Sequence, residues 1–371
     1  MDNRMTKILV LIPKLKGIGG METVINEWID YFNSNESKFE VTFVAPQGIE
    51  NISRMHTGKR VYIKKPLAWL NLNRIHGFLD VLKLLVFSHY DIVICLSVPL
   101  LKACAIIKLF LGRKFAIVSW FHFSLNKIIK NSDEIFLNMC DFHLAISSGI
   151  SEYLFHHGVS KDRIGLIYNP SGNLHVSKRR DVYSKNWNNG VLQLAYVGRV
   201  LWKGQKNLQF LLEGLTKFQL PWRLRIIGTG PKSDLYLLEQ YVQIHNLTEY
   251  VSIKGWQANP FELVTDQMDF VILTSEYEGL PMVLIEAIRR GIPVISSDCP
   301  DGTKDVVSPE NGYLYRVRDM TDFIHVLNTA FYQKKTFSYD IVRNSGSKFD
   351  TSKYFMRVEK ALKQIDEVHE C

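Results

Sequence analysis

Short apolar runs alternate with stretches of helical period from one end of the sequence to the other. In the first half the runs are Ile8–Pro13, Val41–Ala45, Ile92–Leu96, Phe115–Ser119 and Phe142–Ile146. In the second half they are Leu192–Val197, Leu224–Ile227, Val251–Ile253, Phe270–Thr274 and Val294–Ser297. Such runs, bounded by polar or glycine-containing turns, read as strands buried on both faces, and the segments between them place apolar residues three and four apart, as helices do. The alternation predicts an α/β protein with parallel sheets covered by helices on both sides, in two doubly wound, Rossmann-like units. Periodicity fails between Asn173 and Gly190, where Ser, Lys, Arg and Asn replace apolar residues. The expected domains are therefore 1–180 and 181–350. Residues 351–371 are expected as a C-terminal helix, with Tyr354, Phe355, Val358, Leu362 and Ile365 on one side and a return to the N-terminal domain as one placement open to it. Ligands of doubly wound sheets bind beyond the carboxyl ends of the strands, so two facing units are expected to share a cleft.

Composition narrows the class. The chain of 371 residues is 46% hydrophobic and 22% charged, enough for two cores. Its five cysteines, Cys95, Cys104, Cys140, Cys299 and Cys371, form no C-x-x-C pair, which argues against a disulfide framework or a zinc site. The start runs into the strand at Ile8 without an apolar leader, and the most apolar region, Ile92 to Leu111, is broken by Pro99, Lys102 and Lys108. A cytoplasmic protein is expected. The net charge of +8 is uneven: residues 1–176 hold 20 Lys and Arg against 14 Asp and Glu, and residues 177–371 hold 25 against 23. Basic and aromatic residues mix in Lys59–Trp69, Arg113-Lys114 and Lys127–Lys130. These patches suit an anionic membrane surface or a phosphorylated acceptor, or are ordinary solvated lysines; no stacking or groove-reading motif points to nucleic acid.

The richest chemistry lies in Glu278-Gly-Leu-Pro-Met-Val-Leu-Ile-Glu286. Two carboxylates eight positions apart bracket a glycine turn and a helix start, just after the strand Phe270–Thr274. Free N–H groups at a helix start favour a phosphate, and with Pro281 lacking an N–H the expected donors are Gly279, Leu280, Met282 and Val283. Apolar residues at Val283, Leu284, Ala287 and Ile288 have helical spacing. One ligand then spans the element, with a sugar at Glu278, a diphosphate at the helix start and a ribose at Glu286, and Thr274 at the strand end is placed in the same binding set. The alternative is a dipole partner and a solvated glutamate.

Other strand ends add basic and aromatic groups. Gly17-Ile-Gly19-Gly20-Met-Glu22 follows the first strand; a dinucleotide fingerprint would need glycine at position 22, so hydride transfer is disfavoured, while close approach of Gly19 and Gly20 to a diphosphate stays open. Gly198-Arg199-Val-Leu-Trp-Lys203-Gly-Gln-Lys206 supplies a guanidinium that forks onto phosphate and lysines that act as point charges, unless it is a plain surface loop. Gly228-Thr-Gly230 and Gly255-Trp256-Gln257 end two further strands; Trp256 is either a base platform or a core tryptophan. His122, in Ser119-Trp-Phe-His-Phe-Ser124, is either packed among aromatics or a site residue. No D-x-D, H-E-x-x-H, P-loop or G-x-S-x-G string occurs, so charge on a leaving diphosphate falls to Arg, Lys and helix termini, without a metal.

Taken together, these strings resemble retaining nucleotide-sugar glycosyltransferases of family four, with the GT-B fold, and are most similar to bacterial lipopolysaccharide α-1,6-galactosyltransferases. The likeness rests on Gly19–Ile25, Ser119–Leu125, His143–Ile150, Tyr168-Asn-Pro170, Gly255-Trp-Gln257 and Ile295–Cys299. It implies that Glu278 holds donor-sugar hydroxyls, Glu286 the ribose, Arg199 and a lysine the diphosphate, Trp256 the uracil, and that His122 lines the sugar pocket. The family's lysine stands five residues after its arginine; here Lys203 stands at four and Lys206 at seven, and alignment of the helix from Asn207 favours Lys206. The implied enzyme is a UDP-hexose-dependent, metal-independent transferase acting on a lipopolysaccharide core or related surface glycan at the inner face of the cytoplasmic membrane, without a resident cofactor. A sugar-nucleotide epimerase of the same fold and a non-catalytic glycan-binding subunit are the competing readings.

Overall fold

A computed structural model describes residues 5–15, 19–34, 38–50, 53, 55–63, 73–112, 114–172, 190–264 and 268–370. Gly17, Arg113, Cys371, most of Lys59–Trp69 and the expected join at Asn173–Gly190 lie outside these, apart from Lys59–Ile63 and Gly190. The chain divides into two compact units, Met1–Gly172 with Thr351–Cys371, and Asn173–Asp350.

The first unit is built on seven parallel strands: β1 Thr6–Leu11, β2 Phe39–Ala45, β3 Val61–Ile63, β4 Ile92–Cys95, β5 Ala116–Ser119, β6 Phe142–Ala145 and β7 Ile164–Leu166. They lie in the order β3-β2-β1-β4-β5-β6-β7. Every residue of β4, β5 and β6 is buried, as expected of strands covered by helices on both faces. The helix Thr351–Glu370 completes this core. Tyr354, Phe355, Val358, Leu362 and Ile365 are all buried, and the Trp28 indole N–H of the helix Gly20–Ser34 donates to the Tyr354 hydroxyl at 2.6 Å. Tyr31 stacks on Phe355 at 3.7 Å and donates to Glu359 at 2.8 Å, and burial with that carboxylate pushes the phenol up to about 12. The Thr6 hydroxyl donates to Asp366 at 2.7 Å, tying the first strand to the last helix.

The second unit has six parallel strands: β8 Leu192–Val197, β9 Trp222–Ile227, β10 Val251–Ile253, β11 Phe270–Leu273, β12 Val294–Ser297 and β13 Gly312–Tyr315, in the order β10-β9-β8-β11-β12-β13. Both sheets reverse their strand order once, between β1 and β4 and between β8 and β11. At such switch points the loops leaving adjacent strands diverge to opposite faces and leave a crevice above the sheet. Four described cysteines, Cys95, Cys104, Cys140 and Cys299, are buried free thiols. Among the described residues no helix is long and apolar enough to cross a membrane.

Candidate functional site

The switch point of the second sheet is where the chemistry collects. The loop after β8 carries Arg199 to Lys206, and the loop after β11 carries Ser275 to Glu278. Val200 and Trp202 are buried and pin the first loop down, while Arg199 and Lys203 are exposed. Lys206 instead turns inward. Its ammonium donates to Glu278 Oε1 at 2.6 Å, with both side chains about nine-tenths covered. The Ser275 hydroxyl donates to the same oxygen at 2.6 Å. With Oε1 taking both donors, Oε2 is the oxygen left for a ligand hydroxyl. Burial raises the Cys299 thiol to about 12, and the Glu278 charge adds to that rise. The Tyr196 phenol is raised well above its usual range by burial, again with Glu278 adding to it.

Thr274 has a different role from the one expected. Its hydroxyl points at the carbonyls of Lys206 and Asn207, at 3.0 and 3.2 Å, so its proton holds the basic loop. Asn207 in turn caps the helix Leu208–Lys217, its side-chain oxygen accepting from Phe210 N.

The helix after Glu278 is Met282–Ile288, and it buries Leu284, Ile285, Ala287 and Ile288. Val283 is half-buried, and Ile285 is buried beside the stripe formed by Leu284, Ala287 and Ile288. Met282, Val283 and Glu286 thus share the outward face. No carbonyl among the described residues accepts from the backbone N–H of Met282 or Val283, which leaves those donors for an anion. Gly279 and Leu280 are buried in the turn before. Glu286 retains some contact with solvent yet is closely surrounded by protein, and burial lifts its carboxyl to about 7 against the pull of Arg290.

Gly228 and Gly230 serve the packing of strand ends. A Cβ on Gly228 would lie 1.8 Å from the Gly198 carbonyl oxygen, and one on Gly230 would lie 1.8 Å from that of Val200. The ladder continues past the strands, with Gly198 N on Ile227 O at 3.0 Å and Val200 N on Thr229 O at 2.9 Å. Gly228 N reaches Gly255 O at 2.8 Å, and beyond it Trp256 is 46% exposed, which excludes the core alternative.

In the first unit, Gly19 is exposed and Gly20 opens the helix Gly20–Ser34. A side chain at Gly19 would crowd Glu22, whose carboxylate oxygen lies 3.1 Å from the place of that Cβ. His122 follows β5, edge-on to Trp120 at 4.6 Å. Burial depresses its imidazole to about 3, so it is neutral at neutral pH, and its buried Nε2 has no hydrogen-bond partner. Trp120 Nε1 and His143 Nε2 are unpaired as well, so what sets His122 apart is its place just beyond the end of β5. His143 is also depressed to about 3, but its Nδ1 meets the Ser119 hydroxyl at 2.7 Å inside the sheet, where it serves the core.

Residues 18–170 match the family described as Glycosyltransferase Family 4, and residues 192–331 match Glycosyl transferases group 1. The chain is 32% identical over 365 residues to the lipopolysaccharide 1,6-galactosyltransferase of Escherichia coli K12, covering 96% of this chain and 98% of that one. The chain belongs to the family-four glycosyltransferases. This transferase has the GT-B fold of two parallel-sheet Rossmann-like domains: it superposes on the lipopolysaccharide outer core galactosyltransferase WaaB in its apo form with a TM-score of 0.79 at 31% identity, over 96% of this chain and 99% of that one. The Anabaena protein HepE in complex with UDP-glucose has the same fold, with a TM-score of 0.74 at 18% identity over 96% and 99% of the two chains.

Proposed function

We propose that this glycosyltransferase moves a hexose, galactose or glucose, from a UDP-sugar to a lipopolysaccharide core or related surface glycan, with retention at the anomeric carbon. The observation that carries the reading is the Lys206–Glu278 pair at the switch point beside the outward face Met282–Val283–Glu286. An ammonium, two unpaired N–H donors and two carboxylates of different character match a diphosphate flanked by two hydroxyl-bearing sugars. The likeness to galactosyltransferases over nearly the whole chain supports the same acceptor class.

In this reading the donor displaces the ammonium from Glu278 Oε1, and Lys206 with Arg199 takes up the charge that grows on the departing diphosphate. The bond from the anomeric carbon to the diphosphate oxygen breaks, and the acceptor oxygen bonds the same carbon from the same face. The acceptor's proton passes to the leaving diphosphate, so no protein nucleophile is consumed. Glu278 orients the sugar hydroxyls, Glu286 the ribose, Trp256 the uracil, and neutral His122 offers its unpaired nitrogen to the sugar. No metal or resident cofactor takes part in the proposed step.

The same reading places the enzyme at the inner face of the cytoplasmic membrane, in peripheral contact with anionic headgroups through the first unit. Its support is the helix Val98–Leu111, which is apolar nearly all round yet lies at the surface with Ile106, Leu109 and Phe110 exposed, beside the helix Asn73–Phe87 with Phe87 exposed at its end. Exposed Lys83 and Lys114 flank these helices in a unit with excess positive charge. An apolar face with a cationic rim fits the headgroup boundary of an anionic bilayer.

The deciding measurement is UDP release from a panel of UDP-hexoses, with and without lipopolysaccharide core acceptors. Glu278→Ala is expected to lower transfer about a hundredfold or more with the fold retained. Near-normal turnover in that variant would reject the assignment, and an epimerised donor without transfer would favour the epimerase.

A further inference from the structure

Glu276 lies two residues before Glu278 and is held by a different set of partners. Arg318, in the turn after the edge strand β13, grips it with both ends of its fork, Nε to Oε1 at 2.9 Å and Nη2 to Oε2 at 2.6 Å. The Asn207 side-chain amide donates to Glu276 Oε1 at 3.0 Å, and the Glu276 backbone N–H donates to the Gln205 carbonyl at 2.8 Å. Gln205 and Asn207 are the two neighbours of Lys206, so both are tied to residue 276, Gln205 through its backbone carbonyl and Asn207 through its side-chain amide. Arg318 and Asn207 both hold left-handed backbone, with φ of 59° and 47°. Such angles are disfavoured for residues with side chains and persist where surrounding bonds impose them.

An exposed ion pair contributes little to stability by itself. A bidentate guanidinium on a carboxylate with further donors does something else: it fixes direction. We propose that Arg318 is a positioning residue for the diphosphate lysine, acting through Glu276 to hold Gln205 and Asn207 on either side of Lys206 and hence the point from which its ammonium meets the donor. This rests on the UDP-sugar reading above and adds to it a residue from a strand end two places away in the sheet, outside both the basic loop and the paired-glutamate element.

The test is calorimetric titration of UDP into the full chain and into Arg318→Ala, Arg318→Lys, Lys206→Ala and the double variant. Arg318→Ala is expected to weaken UDP about tenfold with an unchanged melting temperature, and Arg318→Lys to recover part of the loss. In the Lys206→Ala background the Arg318→Ala change is expected to add nothing, because the group it positions is gone. Binding by Arg318→Ala equal to wild type, or an equal loss with and without Lys206, would overturn the proposal. Should Arg318→Ala fold poorly, Glu276→Gln removes the ion pair at constant size and must show the same dependence on Lys206. Absence of UDP binding by the wild-type chain would fell the donor reading itself, whereas a Lys206 effect without an Arg318 effect would fell only this inference.

Discussion

Glu286 stands near the midpoint of its titration at neutral pH, because burial lifts its carboxyl from 4.5 to about 7. Between those values the folded chain holds a proton that the unfolded chain has released, so stability falls as pH rises through that window and is flat above it. Glu286→Gln cannot ionise. Its melting temperature is expected to match wild type at low pH and to exceed it by a margin that grows up to about pH 7; a margin independent of pH would refute the shift. If the carboxylate holds a ribose hydroxyl, UDP-hexose affinity also rises as pH passes about 7 in the wild type and stays flat in the variant, because an ionised acceptor bonds more strongly. The pairing of Glu278 and Glu286 was readable from the sequence because one stands in the turn after a strand and the other one turn into the helix that follows. Which of Lys203 and Lys206 turns inward was not readable, since it depends on how the loop folds: Trp202 is buried, Lys203 next to it is exposed, and Lys206 reaches Glu278. Ser275, Glu276 and Arg318 left no local signal: the Arg318–Glu276 bond joins residues 42 apart.

Ten strands were visible as apolar runs; nine of them are central parallel strands covered on both faces, and the tenth, β10, is an outer strand marked by Val251 and Ile253. The three that were not, β3, β7 and β13, are short outer strands of the two sheets; β7 is half-buried throughout, and β13 is buried only at its ends. An edge strand needs no continuous apolar run, so its pattern merges with that of loops. The helix Val98–Leu111 poses the opposite case, being more apolar than its surface position requires. Phe87→Ser with Phe110→Ser should leave the fold intact, since these side chains are 84% and 85% exposed. Flotation with vesicles containing phosphatidylglycerol is expected to carry the wild-type chain and to lose the double variant; equal flotation of both would remove these helices from the membrane reading.

At the scale of the whole molecule, two units are tied into one chain by the helix Thr351–Glu370, which leaves the second unit and packs in the first. Tyr354, Phe355, Val358, Leu362 and Ile365 each contribute about 1.5–3 kcal/mol, a sum comparable with the stability of a whole domain. A chain ending at Asp350 is expected to lose amide protection in β1 to β7 while β8 to β13 keep theirs, as read by hydrogen exchange; unchanged protection in β1 would show the helix to be dispensable. The division into two doubly wound units was legible because each half of the sequence repeats the alternation of strand and helix. The owner of the last helix was not, since an amphipathic stripe says that a face is covered and not by what.

That borrowed helix also sets a chronology. The first unit is synthesised first but cannot finish first, because Trp28 and Tyr31 wait for Tyr354 and Phe355. Between Gly172 and Thr351 the ribosome must make the entire second unit, roughly 180 residues, which at about 5–20 residues per second leaves the earlier sheet without its lid for roughly ten to forty seconds. The nascent chain therefore passes through a stage in which the half made earlier is complete but for this helix, and it is in that interval that a chaperone has most to do.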